Sequence, residues 1–135
     1  MGDGPQEEAC REICIKRRIQ DRVKFYGYRD DVEQFMMNAS CLLFPSHYEG
    51  LGLVAAQAAL IGLPILASNI QAIVEIKGDH SGLIEPGSIT AWQKALRNYI
   101  LLEDIPSRFP TIRIPTLESM VDKVCLIYTN TLKCL

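Results

Sequence analysis

The sequence predicts a parallel α/β sheet with right-handed crossovers, and three observations carry that prediction. Short apolar runs alternate with helical patterns along the chain, the arrangement that folds into β-α-β units. The runs Cys41–Phe44 and Ile65–Ala67 are continuous rather than alternating, as expected of parallel strands buried on both faces. Between them, Glu49-Gly50-Leu51-Gly52 reads as a turn that opens a helix, and Gly62 as the left-handed stop that closes it.

Taken in order, Pro5 suits a first helical position after Asp3, and Glu7 and Glu8 complement the dipole of the first turn. Cys10, Ile13, Cys14 and Arg17 share one stripe, which predicts a helix to about Arg18. Val23–Tyr26 is predicted as a short strand. Asp30 or Asp31 is expected to cap a helix whose apolar positions are Val32, Phe35, Met36 and Ala39. The strand Cys41–Phe44 leads into a helix from Gly52 to Ile61. Ile65–Ala67 is the next strand, Gln71–Ile76 a short helix, and Gly82–Ile84 the last strand. Ser88 caps a helix through Leu102, with Ala91, Ala95, Leu96, Tyr99 and Ile100 inward. Ile105–Pro115 holds three prolines and reads as a connector, after which Thr116 caps a helix carrying Met120, Val121, Val124, Ile127 and Tyr128.

With 135 residues, one domain is the natural count, and roughly two-thirds of the unfolded surface can be buried. A hydrophobic content of 48%, charged residues at 22% and a net charge of -2 are ordinary globular values. That balance argues against nucleic acid or an anionic membrane as the main partner. The single basic run, Lys16-Arg17-Arg18, sits where a helix C-terminus needs positive charge. The five cysteines, Cys10, Cys14, Cys41, Cys125 and Cys134, are odd in number and form no Cys-x-x-Cys pair. They indicate neither a disulfide framework nor a zinc site, and reduced cytosol fits best; Cys10 and Cys14 are expected as small core residues. No signal peptide is expected from the residues after Met1, and the apolar stretch Leu53–Ala67 is interrupted by Gln57, Gly62 and Pro64, so no transmembrane segment is expected.

The chemistry concentrates around Glu49. Backbone N–H groups at Gly50, Leu51 and Gly52 open a helix, where a negative ligand group meets unpaired donors and the macrodipole. Gly50 and Gly52 let a ligand approach the main chain closely. Any phosphate recognition by this chain is therefore expected to be local, from backbone donors rather than from a basic field.

Pro45-Ser46-His47-Tyr48-Glu49-Gly50-Leu51-Gly52, followed by Gly62-Leu63-Pro64, resembles the signature of retaining glycosyltransferases of the GT-B fold, especially family 4. Gly2-Asp3-Gly4-Pro5, Asp21–Gly27, Ile73-Val74-Glu75-Ile76 and Gly82-Leu83-Ile84 resemble flanking pieces of the same family. The resemblance implies a Rossmann-like doubly wound parallel sheet, a partial GT-B C-terminal domain. Its expected division is 1–104 for that domain, 105–115 for the connector and 116–135 for a C-terminal helix. The family pattern has a second Glu where this chain has Gln57. The chain also begins where the family's second C-domain strand ends, so the acceptor-binding N-terminal half is expected to be missing.

By resemblance, Glu49 contacts hydroxyls of the transferred sugar, and the amides of Gly50, Leu51, Gly52 and Leu53 hold the pyrophosphate. Position 57 binds the nucleotide ribose, and Tyr28 is a stacking surface for the base or else a plain turn aromatic. Eight residues at about 1.5 Å each give about 12 Å along a helix between positions 49 and 57, comparable with the span from sugar to ribose. A carboxylate accepts both ribose hydroxyls through charge-assisted bonds, whereas Gln57 accepts with one oxygen, so the ribose grip is weaker here. Without a ligand, Glu49 is a first-turn carboxylate stabilising the dipole, and Gln57 a solvated helix residue. His47 and His80 are read as loop histidines, and Glu75 either follows the family or serves its own helix. No metal or other cofactor is implied; a nucleotide-diphosphate sugar is the expected substrate. Two functions from different classes are open: the donor-binding part of a glycosyltransferase that works with a separate N-terminal acceptor-domain chain, or a non-catalytic truncated or decayed domain. A sugar-nucleotide epimerase of the same fold is the third. A cytoplasmic location, peripheral to a membrane only through a partner, is expected. Strands absent before Gly2 are expected to leave an uncovered sheet edge and hence self-association or a partner chain.

Overall fold

The computed structural model describes residues 4–78, 80 and 82–101. Asp3, the predicted connector and the predicted closing helix at 116–135 lie outside these residues. The chain divides into two compact units, Met1–Ala39 and Ser40–Leu135.

The first unit holds helix α1 (Glu7–Lys16), a short 3-10 turn (Gln20–Arg22) and helix α2 (Val32–Met37). Glu7 and Glu8 occupy the first turn of α1 and Lys16 the last, matching the dipole as expected. Along its exposed side, Arg11 pairs with Glu7 at 2.6 Å and Lys16 with Glu12 at 3.7 Å. The helix ends on Arg18 at φ 56, with the Ile19 N–H bonding back to the Cys14 carbonyl at 2.9 Å. Cys14 is buried but Cys10 is exposed, so only one of the pair is a core residue.

Val23–Tyr26 is not a strand. Val23 is extended (φ -116, ψ 122), yet no other described segment pairs with it. The aromatic residues of this stretch find other partners: Tyr26 packs on Phe35 at 4.7 Å between ring centroids, and the Arg11 guanidinium lies 4.4 Å over Phe25. Asp31 is the N-cap residue of α2 by position but makes no cap bond. Its carboxylate is taken by Arg29, which donates Nε to Oδ1 at 2.8 Å and Nη2 to Oδ2 at 2.7 Å. That hydrogen bond and the guanidinium charge hold the Asp31 carboxyl below its usual range, while slight burial opposes them.

The second unit contains strand β1 (Leu42–Phe44), helix α3 (Leu53–Leu60), strand β2 (Ile65–Ala67), helix α4 (Gln71–Lys77) and helix α5 (Ile89–Ile100). The strands β1 and β2 are parallel, with Leu42 opposite Ile65, Leu43 opposite Leu66 and Phe44 opposite Ala67. Ile84 extends the ladder by one parallel bridge to Ser68, so the predicted strand at 82–84 contributes a single paired residue. The β-α-β order and parallel pairing are those the sequence predicted. All three residues of β2 are buried, but Leu43 of β1 is 46% exposed. Its neighbours Leu42 and Phe44 bond toward β2, through Leu42 N–H to Pro64 carbonyl at 2.8 Å and Ser68 N–H to Phe44 carbonyl at 3.0 Å. The main-chain groups of Leu43 therefore face the other way, where no described strand lies.

Helix α3 lays Ala55 and Ala58, both 0% exposed, against the sheet. Methyl-sized side chains one helical turn apart permit close approach. Gly62 (φ 73) and Gly78 (φ 90) supply the left-handed stops after α3 and α4. The core gathers Phe44, Leu63, Ile65, Leu66, Ile73 and Ile84, with Ile73 fully enclosed. Ser88 caps α5, its Oγ accepting from the Ala91 N–H at 3.3 Å. No residue of α5 is fully buried and Ile100 is 73% exposed, against the expectation that it faces inward. Ala91, Ala95, Leu96 and Tyr99 are half-buried, and the Tyr99 hydroxyl donates to the Ser40 carbonyl at 2.7 Å. Among the described residues no helix is long and apolar enough to cross a membrane.

Candidate functional site

The loop from Pro45 to Gly52 joins the C-terminal end of β1 to the start of α3. In parallel α/β sheets ligands collect at that end of the strands. Gly52 is buried and left-handed (φ 60, ψ 36), a conformation that needs glycine, and it turns the chain into the helix. A Cβ at this position would lie 3.0 Å from Ile76 Cδ1 and 3.4 Å from Ile73 Cδ1, so the turn is seated directly on α4. At Gly50 a Cβ would meet nothing within 4 Å, so the space before the main chain is open there.

The first helical hydrogen bond of α3 runs from the Ala56 N–H to the Gly52 carbonyl at 3.0 Å. No side chain caps the helix. The N–H groups of Leu53, Val54 and Ala55 thus take no acceptor among the described residues. Three donors and the positive end of the dipole stand at the start of α3, and Glu49, half-buried, lies in the turn that precedes it. Ser46 Oγ donates to Glu49 Oε1 at 2.8 Å. The ring of His47 packs on Gly87, where a Cβ would come within 3.0 Å of His47 Cε1.

Gln57 is exposed on α3 and shares a face with Leu53, four residues earlier. Side chains lean toward the helix N-terminus, which points Gln57 back toward the turn. Because α3 begins at Leu53, only four residues of the spacing from Glu49 to Gln57 are helical. That amounts to about 6 Å of helical rise, so the span of about 12 Å from unbroken helix does not apply. Glu49, Gly50, Leu51, Gly52, Leu53 and Gln57 all belong to the second unit, whereas Tyr28, 76% exposed, belongs to the first.

Other candidates have structural partners. Glu75 accepts from Gln71 Nε2 at 3.0 Å across one turn of α4. His80 Nδ1 lies 2.8 Å from Asn69 Oδ1, a pairing the loop reading of this histidine missed. Burial pushes the Cys41 thiol up, against the nucleophilic thiolate form. Among the described residues no group of three or more His, Cys, Asp or Glu is placed to hold a metal. A depression of about 360 Å³ lined by Pro45, His47, Gly87, Trp92 and Leu96 includes neither Glu49 nor Gln57. The Ser46 bond was also unassigned from sequence, although Ser-x-x-Glu is the spacing at which a hydroxyl and a carboxylate meet across one turn.

A glycine-opened helix follows the C-terminal end of a parallel strand, with a held carboxylate before it, in the region where α/β folds collect ligands. The family model described as glycosyl transferases group 1 matches residues 1–102. Glycogen synthase of Mycobacterium tuberculosis (strain ATCC 25618 / H37Rv) is 31% identical over 103 residues, 73% of this chain and 25% of that protein. The O-antigen biosynthesis glycosyltransferase WclY of Escherichia coli is 32% identical over 75 residues, 56% of this chain and 21% of its own length. Among solved structures, sucrose-phosphate synthase from Thermosynechococcus elongatus superposes with a TM-score of 0.64 over 99% of this chain and 38% of that one, at 22% identity. The chain belongs to the glycosyl transferases group 1 family, and its fold is that of a GT-B glycosyltransferase domain. It spans about a quarter of the length of these curated relatives.

Proposed function

We propose that the second unit is the donor-binding face of a retaining glycosyltransferase that uses a nucleotide-diphosphate sugar. Glu49 accepts hydroxyls of the transferred sugar, and the amides from Gly50 to Leu53 hold the pyrophosphate. Gln57 faces the ribose. One observation carries this reading: a half-buried carboxylate, held by Ser46, belongs to the turn that leads into α3, where of the proposed amides that of Leu53 takes no acceptor among the described residues, nor do those of its neighbours Val54 and Ala55. Sugar hydroxyls and diphosphate oxygens are the complementary chemistry, donors for the carboxylate and acceptors for the amides. Transfer itself requires an acceptor-binding half, supplied by a further chain or segment. The free thiols of Cys10, Cys14 and Cys41 suit a reducing, cytoplasmic setting.

Affinity for a uridine or guanosine diphosphate sugar is expected near the millimolar range, about -4 kcal/mol. Gln57→Glu is expected to tighten binding by up to about tenfold, because a charge-assisted bond to a ribose hydroxyl exceeds a neutral one by roughly 1.4 kcal/mol. NMR titration of both proteins measures the change; nucleotide binding that is indifferent to this substitution removes position 57 from the ribose. The second reading, a non-catalytic domain, is favoured by Gln57 standing where the family signature has a carboxylate. Absence of nucleotide binding in both proteins selects it.

A further inference from the structure

We propose that Ser46 is a positioning residue that orients the Glu49 carboxylate toward the donor sugar; this rests on the donor-binding reading of the site. An ionised carboxylate only accepts, so at 2.8 Å the Ser46 hydroxyl must be the donor and its proton points at Oε1. That is Glu49's one hydrogen bond among the described residues, and Oε2 takes no partner among them. One oxygen is therefore fixed by the protein and the other presented. Both side chains are half-buried, a setting in which a charge-assisted bond is shielded from competing water.

Of the two residues between them, His47 has a neighbour of its own. His47 lies against Gly87, which has a left-handed backbone (φ 75) and no side chain to displace the ring. Glu49 follows two residues later, and its carboxylate is held through Ser46. A free glutamate loses up to about 1.5–2 kcal/mol of rotamer entropy when it is ordered. With the carboxylate already ordered, less of that loss falls on ligand binding, which is preorganisation in the usual sense.

The test uses the full chain as wild type, Ser46→Ala, Ser46→Thr, Glu49→Gln and the double variant Ser46→Ala/Glu49→Gln. Each is titrated by NMR with UDP-glucose and with UDP, and the ratio of the two affinities isolates the sugar contact. Ser46→Ala is expected to lower this ratio about threefold to tenfold while leaving UDP binding unchanged. Ser46→Thr, which keeps the hydroxyl, is expected to restore the ratio, and the double variant to be no worse than Glu49→Gln. An unchanged ratio in Ser46→Ala, or an equal weakening of UDP itself, overturns the proposal and leaves the bond a brace of the turn. A ratio insensitive to Glu49→Gln, or no binding by any protein, sinks the donor-site reading instead. The contact is then decided without ligand, by 13C relaxation at Glu49 Cγ. Ser46→Ala is expected to mobilise that carbon and Ser46→Thr is not; equal mobility in all three proteins overturns the positioning role.

Discussion

Ile73→Ala is expected to destabilise the protein by about 2–5 kcal/mol, the range for removing a large aliphatic side chain from a closed core. Ile73 is 0% exposed and is the largest completely enclosed side chain among the described residues. It stands on α4 and its Cδ1 faces Gly52, so it supports the turn that begins α3 as well as the sheet. The lost transfer energy and the cavity left behind act together, because α3, β2 and α4 are held in place by the same contacts. Ile73→Val, which removes one methylene, is expected to lose about 0.5–1.5 kcal/mol. Urea denaturation of the three proteins measures both differences. A loss below about 1 kcal/mol for the alanine variant means the second unit is not built around this side chain.

Gly52→Ala carries the next largest effect, about 1–3 kcal/mol, and its cause is mainly conformational. At φ 60 a Cβ strains the backbone, at roughly 1–2 kcal/mol for an L-residue in the left-handed region. The new methyl also approaches Ile76 Cδ1 at 3.0 Å, but that atom is the end of a flexible side chain and yields by a few tenths of an ångström. Gly50→Ala is the control. Gly50 has no positive φ and no atom within 4 Å of an added Cβ, so its substitution is expected to stay within about 0.5 kcal/mol. Thermal unfolding of the two variants separates them. Equal losses at the two glycines contradict the assignment of the left-handed turn to Gly52 alone.

What could be read from sequence was mostly local. Gly62 stops α3 because glycine accepts positive φ, and Ser88 caps α5 because its hydroxyl reaches an orphan N–H. The β1-α3-β2 unit was legible because a continuous apolar run, a glycine turn and a helical stretch each point to the same connection. Errors arose where a residue had more than one partner to choose from. Asp31 stands at a cap position, but Arg29 two residues earlier offers two charge-assisted bonds, which outweigh one bond to a backbone N–H. Val23–Tyr26 has strand composition, yet strand pairing is non-local and composition does not reveal whether a neighbour is present. Ile100 fits the helical period of α5, but period alone does not tell which face meets the core. The position of Glu49 was clear from the Glu-Gly-x-Gly pattern. The bond to Ser46 was not, because a hydroxyl rotor's partner depends on loop geometry that spacing only suggests.

Leu43 has one further consequence, in the time domain of hydrogen exchange. In β1 the amides of Leu42 and Phe44 point into the ladder with β2, while that of Leu43 points away from it. Three consecutive residues of one strand should therefore exchange slowly, quickly and slowly, the middle amide released without any opening of the unit. Amides at 42 and 44 report sub-global opening of the sheet, and the amide at 43 reports only its own hydration. A strand that slows exchange at position 43 has to dock against that side of β1, so this single amide reads the edge's occupancy.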